Sequence, residues 1–223
     1  MYYVRRYLPL LDSLIRKLDY CGDSLSVLKG ILGVTLSSDW YTKLIRKCSL
    51  KSLRKWLESR GLKYTQKQLS ELTKLYLCYN GLTKVHSGIG QLTQLVVLDL
   101  RGNKLTELPD LVQNTQLEEL YLTSNYLTEL PEGFLARNTT LEWLYLGRNK
   151  LVELPEGFLS KNATLRYLNL GDNELTYLPE DFLAQNTQLI ELNLNGNKII
   201  KIPNELLTRH NLYIYNCVSL VTN

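Results

Sequence analysis

The sequence predicts an α/β solenoid, with a curved parallel sheet on its concave face, short helical turns on its convex face and a helical cap or bundle at its N-terminus. Three observations carry that prediction. An eleven-residue pattern, L-x-x-L-x-L-x-x-N-x-L, occurs six times in succession, beginning at Leu72, Leu95, Leu117, Leu141, Leu165 and Leu189, the last unit ending in isoleucine. All three phenylalanines, Phe134, Phe158 and Phe182, stand 24 residues apart. None of the 17 asparagines precedes Asn80, so the repeats begin after a differently composed region. A fixed internal period of this length is the mark of stacked units, each unable to bury its apolar face alone.

The charge divides at the same place. The net charge of +4 combines 14 basic and 5 acidic residues in 1–68 with 12 basic and 17 acidic residues in 69–223. Two domains are therefore expected: a helical region, 1–68, capping the solenoid, and a repeat domain, 69–223, of six units plus a degraded unit beginning at Leu212. In the first region Pro9 suits a first helical turn, and Leu11, Leu14, Ile15 and Leu18 form one stripe. Gly22 stops that helix. Asp23 or Ser24 caps a second, ended by Gly33; Ser38 caps a third over Asp39–Lys47; Ser49 caps a fourth over Leu50–Arg60, stopped by Gly61. Lys43, Arg46, Lys47, Lys51, Arg54 and Lys55 crowd the last two. Trp40, Trp56 and Leu57 are candidates to cover the apolar end of the stack.

Within each repeat, alternation over x-L-x-L-x sends the leucines to one face of a short strand and the intervening residues to the other. The recurring asparagines Asn80, Asn103, Asn125, Asn149, Asn173 and Asn197 fall where the chain leaves the strand. Their amides can satisfy backbone groups of the turn and of the next coil, forming a ladder. The pattern resembles the leucine-rich-repeat signature, and the resemblance covers residues 72 to about 214.

The second half of each unit is as regular. Pro109, Pro131, Pro155, Pro179 and Pro203 remove a donor where no ladder bond is needed. In L-P-E-G-F-L or L-P-E-D-F-L a short helical turn follows, with the phenylalanines filling the space behind the leucines. The sequons at Asn138 and Asn162 read as turn residues ahead of the next strand.

The outward strand positions define the face that could bind. One column reads Lys74, Val97, Glu119, Trp143, Tyr167, Glu191; the other reads Tyr76, Asp99, Tyr121, Tyr145, Asn169, Asn193. Flanking positions add Tyr79, Arg101, Arg148 and Asp172. Tyr76, Tyr121, Trp143, Tyr145 and Tyr167 form an aromatic patch on a face the core does not need. Large aromatics with polar tips, rimmed by charge, are the composition of interface hot spots. The candidate protein-binding residues are therefore Tyr76, Tyr79, Asp99, Arg101, Glu119, Tyr121, Trp143, Tyr145, Arg148, Tyr167, Asn169, Glu191 and Asn193.

Other chemistry finds little support. There is no phosphate-cradling glycine loop and no G-x-S-x-G, and carboxylate pairs such as Asp99 and Glu119 follow from the repeat spacing. His86 and His210 fall in loops, and Cys21, Cys48, Cys78 and Cys217 are scattered without a C-x-x-C. No catalytic, cofactor-binding or metal residues are expected, and the chain reads as a monomeric, non-enzymatic protein-recognition module. The opening MYYVRRYLPLLDSLIRKLDY lacks an uninterrupted apolar core and a small-residue cleavage site, unlike a secretory signal. Sparse cysteine points to a reducing, intracellular compartment.

The repeats, the helical N-terminal region and the Asn/Lys/Tyr-rich composition also resemble small leucine-rich-repeat effectors of intracellular bacterial pathogens. That resemblance implies a host protein as partner and the host cytosol as location. The chain departs from effectors that carry a C-terminal ubiquitin-ligase domain, so such activity is not implied. Two alternatives remain open. Leu8-Pro9, the leucine stripe, Val34 and Trp40 resemble an F-box, which would make residues 1–60 a ubiquitin-ligase adaptor. The basic helices could instead bind an anionic membrane or nucleic acid, although neither is the expected partner.

Overall fold

The computed structural model describes residues 49–179 and 181–215. Of the N-terminal expectations, the first three helices, Trp40, the F-box-like positions Leu8, Pro9 and Val34, and the basic residues before Ser49 lie outside these residues. So do Cys21, Cys48 and Cys217. The chain divides into two compact units, 1–66 and 67–223.

The described part of the first unit is helix α1, residues 49–58, with Leu50, Leu53 and Leu57 buried along one stripe. Lys51 and Lys55 are exposed one turn apart. The helix ends as the sequence predicts. Gly61 adopts φ +80, the Gly61 N–H donates to Glu58 O (3.0 Å) and the Leu62 N–H to Leu57 O (3.0 Å). This paired closure is a Schellman motif, which needs a left-handed residue that glycine adopts without strain. Trp56 is half-buried, with the Arg60 guanidinium 3.8 Å from its ring centre.

Helix α2, Gln66–Ser70, buries Leu69 and leads into the repeats. These form one seven-stranded parallel sheet in chain order: β1 Lys74–Tyr76, β2 Val97–Asp99, β3 Glu119–Tyr121, β4 Trp143–Tyr145, β5 Tyr167–Asn169, β6 Glu191–Asn193 and β7 Tyr213–Tyr215. The register is one-to-one, so each repeat position is stacked on its equivalent. The central leucines Leu75, Leu98, Leu120, Leu144, Leu168 and Leu192 are buried, with the leucines two residues further on behind them. The degraded unit at Leu212 supplies β7, with Ile214 in the leucine position.

The asparagine ladder closes the strand ends. Asn149 shows the pattern: Nδ2 donates to Leu122 O of the preceding unit (3.0 Å) and Leu146 O of its own (2.9 Å), while Oδ1 accepts from Leu127 N–H (3.1 Å). Asn103, Asn125, Asn173 and Asn197 repeat this arrangement. Asn80, in the first repeat, is exposed, and its side chain donates only to Cys78 O (2.9 Å). A second ladder was not foreseen. Asn114, Asn138, Asn162 and Asn186, spaced by 24 residues, are buried and donate to backbone carbonyls of the preceding unit. The sequon asparagines are thus turn-builders whose amides are already bonded inside the fold.

Behind the sheet, helical turns form at Ser87–Gln91 and at α3, Asn204–Leu207. The three P-E-x-F-L segments are built otherwise, from overlapping four-residue β-turns. Phe134 N–H donates to Pro131 O (3.0 Å), Ala136 to Gly133 (2.9 Å) and Asn138 to Leu135 (2.9 Å). Left-handed residues recur within them, Gly133 and Leu135 in one unit and Gly157 and Leu159 in the next, so the chain cannot continue as a helix. Phe134, Phe158 and Phe182 are buried, the last two stacked at 6.4 Å. Rings on the sheet side stack at 5.2 and 5.8 Å.

Candidate functional site

Every strand turns its first and third residues outward, because successive side chains alternate and the middle one is committed to the core. The site is therefore two columns standing on rigid, register-locked strands. In the first column Glu119, Trp143, Tyr167, Glu191 and Tyr213 are consecutive partners. In the second the order is Tyr76, Asp99, Tyr121, Tyr145, Asn169, Asn193, Tyr215.

The register gathers four of the expected aromatics into one block. Tyr121 and Tyr145 stack at 5.2 Å with planes 9° apart, and Trp143 and Tyr167 at 5.8 Å and 4°. All four are half-buried, each ring shielding its neighbour. Such contacts add ~0.5–1.5 kcal/mol apiece beyond simple burial, which pre-orders the surface before anything binds. Tyr76 is exposed and stands apart from the block, with Asp99 between it and Tyr121.

Charged groups rim the block in fixed positions. Asp99 is only 1% exposed. Its carboxylate accepts from the Arg101 backbone N–H (3.0 Å), from Arg101 Nε (3.0 and 3.2 Å) and from Nη2 (2.7 Å). The hydrogen bond to Asp99 holds the Arg101 pKa above its ordinary value. The same guanidinium lies 4.8 Å from the Tyr121 ring centre. Tyr121 donates its hydroxyl to Glu119 Oε2 (2.7 Å). Burial first, then that hydrogen bond, pushes the Tyr121 phenol well above its usual range. Tyr145 is raised by burial and then by the charge of Glu191.

Several predicted site residues have local duties that the sequence reading did not assign. Asn169 Oδ1 accepts from Gly171 N–H (2.9 Å) and Asn193 Oδ1 from Asn195 N–H (3.0 Å), so both close the turn after their strand, as Asp99 does. A side chain at Gly147 would collide with Asn169, and one at Gly171 would crowd Asn193, which lean over those positions. Tyr79, 78% exposed, lies over Gly102, and Arg148 reaches Asp172 at 3.5 Å. The eighth position of every unit is left-handed: Tyr79, Gly102, Ser124, Arg148, Asp172 and Gly196 have φ between 53 and 69°. Val97, expected on the exposed column, is only 2% exposed, so β2 is buried on both faces. Two face residues were missed, Tyr213 and Tyr215 on β7, both exposed. Their signal was the alternation L-Y-I-Y after Leu212.

Among the described residues no group of His, Cys, Asp and Glu could hold a metal ion. His86 Nδ1 accepts from Gly88 N–H (2.9 Å), capping the helical turn behind the sheet. Among the described residues no helix is long and apolar enough to cross a membrane.

The leucine-rich-repeat family model matches residues 70–127, 115–175 and 139–199, the segments that build the first six strands and both ladders. The chain belongs to the leucine-rich-repeat family. No curated protein matches it. Among solved structures, the functional domain of InlJ from Listeria monocytogenes, described as including a cysteine ladder, is 31% identical with a TM-score of 0.52 over 68% of this chain. A leucine-rich-repeat protein of Leptospira interrogans is 30% identical, TM-score 0.53 over 70%. An internalin, InlF of Listeria monocytogenes, shares the fold at 21% identity, TM-score 0.55 over 68%. The chain spans 36%, 45% and 49% of the length of these three structures. Leucine-rich repeats are binding scaffolds, their curved sheets offering an extended surface to protein partners.

Proposed function

We propose that this chain is a non-enzymatic recognition module that binds a protein partner through the outward face of its sheet. The observation that carries this reading is the block of Tyr121, Trp143, Tyr145 and Tyr167, half-buried and stacked in pairs on a core that leucine already fills. Ring pairs ordered in advance lose little freedom on binding, which is what makes rigid aromatics effective anchors. Glu119, Arg101 and Asp99 supply a fixed polar rim. The two structures at 30–31% identity are bacterial, which supports a bacterial origin for this chain; the reading as an effector acting on a host protein rests on its repeat architecture and composition. The test is an affinity screen comparing the native chain with a folded Tyr121/Trp143/Tyr145/Tyr167→Ala variant. Loss of specific partners from the variant is expected; an unchanged partner set refutes the assignment of the face.

A further inference from the structure

The second column of the sheet contains a worked template for something the first column lacks. Asp99 and Tyr121 are register partners, so a carboxylate and a ring stand side by side on strands about 4.8 Å apart. Arg101 fills the space they define. Its guanidinium donates to the Asp99 carboxylate from Nε and Nη2 while its central carbon lies over the Tyr121 ring, 4.8 Å from the centre. A planar cation can fork onto a carboxylate and stack on an aromatic face at once, which a compact ammonium cannot.

Tyr167 and Glu191 repeat this pairing in the first column. They too are register partners on neighbouring strands. One face of the Tyr167 ring is covered by Trp143 from the β4 side, which leaves the other face toward β6 and Glu191. No arginine of the described chain fills this slot. The residue two beyond Glu191 is Asn193, committed to the Asn195 N–H. The nearby cations are spoken for: Arg166 pairs with Glu142 (3.7 Å), Arg148 with Asp172 (3.5 Å) and Lys198 with Glu174 (3.4 Å). Among the described residues Glu191 forms no ion pair. A methylammonium cage does not fit either, because Trp143 and Tyr167, 5.8 Å apart and parallel, leave no room for a cation between them.

We infer that the Tyr167–Glu191 slot receives an arginine side chain from the protein partner, stacked on Tyr167 and forked onto Glu191 as Arg101 is on Tyr121 and Asp99. This deepens the proposed function and rests on it: the partner presents an arginine to the β5–β6 end of the aromatic block. The neutral isostere of arginine would lose the charge, and lysine would lose the plane.

The test is an NMR titration of the full chain with Nα-acetyl-arginine amide, Nα-acetyl-lysine amide and Nα-acetyl-citrulline amide. Saturable shifts of the Tyr167 and Glu191 amides are expected with the arginine probe, about threefold weaker binding with lysine and none with citrulline. Glu191→Gln, otherwise unchanged in its spectrum, should weaken the arginine probe about tenfold. An equal response to citrulline, an indifferent Glu191→Gln, or no saturable shift overturns the slot. Running Glu191→Gln beside the four-alanine variant in the affinity screen separates the two claims. Partners lost by the alanine variant but fully kept by Glu191→Gln sink the arginine slot alone; partners kept by both sink the face as well.

Discussion

Replacing Asn149 with alanine should destabilise the repeat domain by ~3–5 kcal/mol, and the hydrogen bonds show why. Asn149 donates to Leu122 O and Leu146 O and accepts from Leu127 N–H. The carbonyls do not lose everything: Leu122 O keeps Asn125 Nδ2 (3.0 Å) and Leu146 O keeps Asn173 Nδ2 (3.1 Å). Leu127 N–H has no second acceptor of that kind and is stranded in the core. Two lost bonds at a net ~1 kcal/mol each, plus a buried unpaired donor at ~1–3 kcal/mol, set the magnitude. Asn149→Asp keeps the acceptor but turns a carboxylate toward two carbonyls, so at pH 7 it should cost more than alanine. Burial raises the pKa of that introduced carboxyl in the folded state. Its penalty is absent below an unfolded pKa of about 4 and grows as pH rises toward the folded value. Asn80→Ala is the internal control: the same motif position, but exposed and holding only Cys78 O, so its cost should stay below ~1 kcal/mol. Urea unfolding of the three variants at pH 7 and pH 4 measures this. Equal costs for Asn80→Ala and Asn149→Ala, or a pH-independent Asn149→Asp, would refute the ladder as the source of stability.

Three further outcomes follow from the same geometry. Phe158→Ala, emptying a buried site stacked on Phe182, should cost ~3–5 kcal/mol by urea denaturation. Ser124→Gly should raise Tm slightly, by up to ~1 kcal/mol of stability, because φ 59 suits glycine; Ser124→Val should lower it. In an ultraviolet alkaline titration Tyr121 and Tyr145 should ionise after the ordinary tyrosines. Because their folded pKa values are raised, stability from these phenols is complete below about pH 10 and lost as pH climbs toward the folded values. A single titration step at the ordinary value would contradict the burial of the block.

The strands were legible because leucine alternation and a fixed period leave few other ways to bury the apolar positions. Each observed strand, from Lys74–Tyr76 to Glu191–Asn193, occupies the third to fifth positions of its unit. The ladder asparagines and the glycine stop at Gly61 were legible for the same local reason. What escaped was information spread over several backbone groups. Leu135, Leu159 and Leu183 give no sign in their identity that they adopt left-handed φ; the linked turns impose it, and burial of the side chains offsets the strain. Asn114 and Asn186 form a ladder because stacking places the preceding unit's carbonyls beside them, visible beforehand only as a 24-residue spacing. At the site, the columns could be read, but not which members are occupied. Asn169 and Asn193 close turns, and Val97 and Asp99 are covered, facts that depend on neighbours in space.

The most direct test of the binding face is site-specific photocrosslinking during partner capture. A benzoyl-phenylalanine at Tyr145, in the stacked block, should yield adducts with the captured protein, and the same group at exposed Tyr177, whose hydroxyl bonds Glu153 away from the sheet, should yield none. Adducts from Tyr177 with none from Tyr145 would place recognition elsewhere on the solenoid and contradict the account.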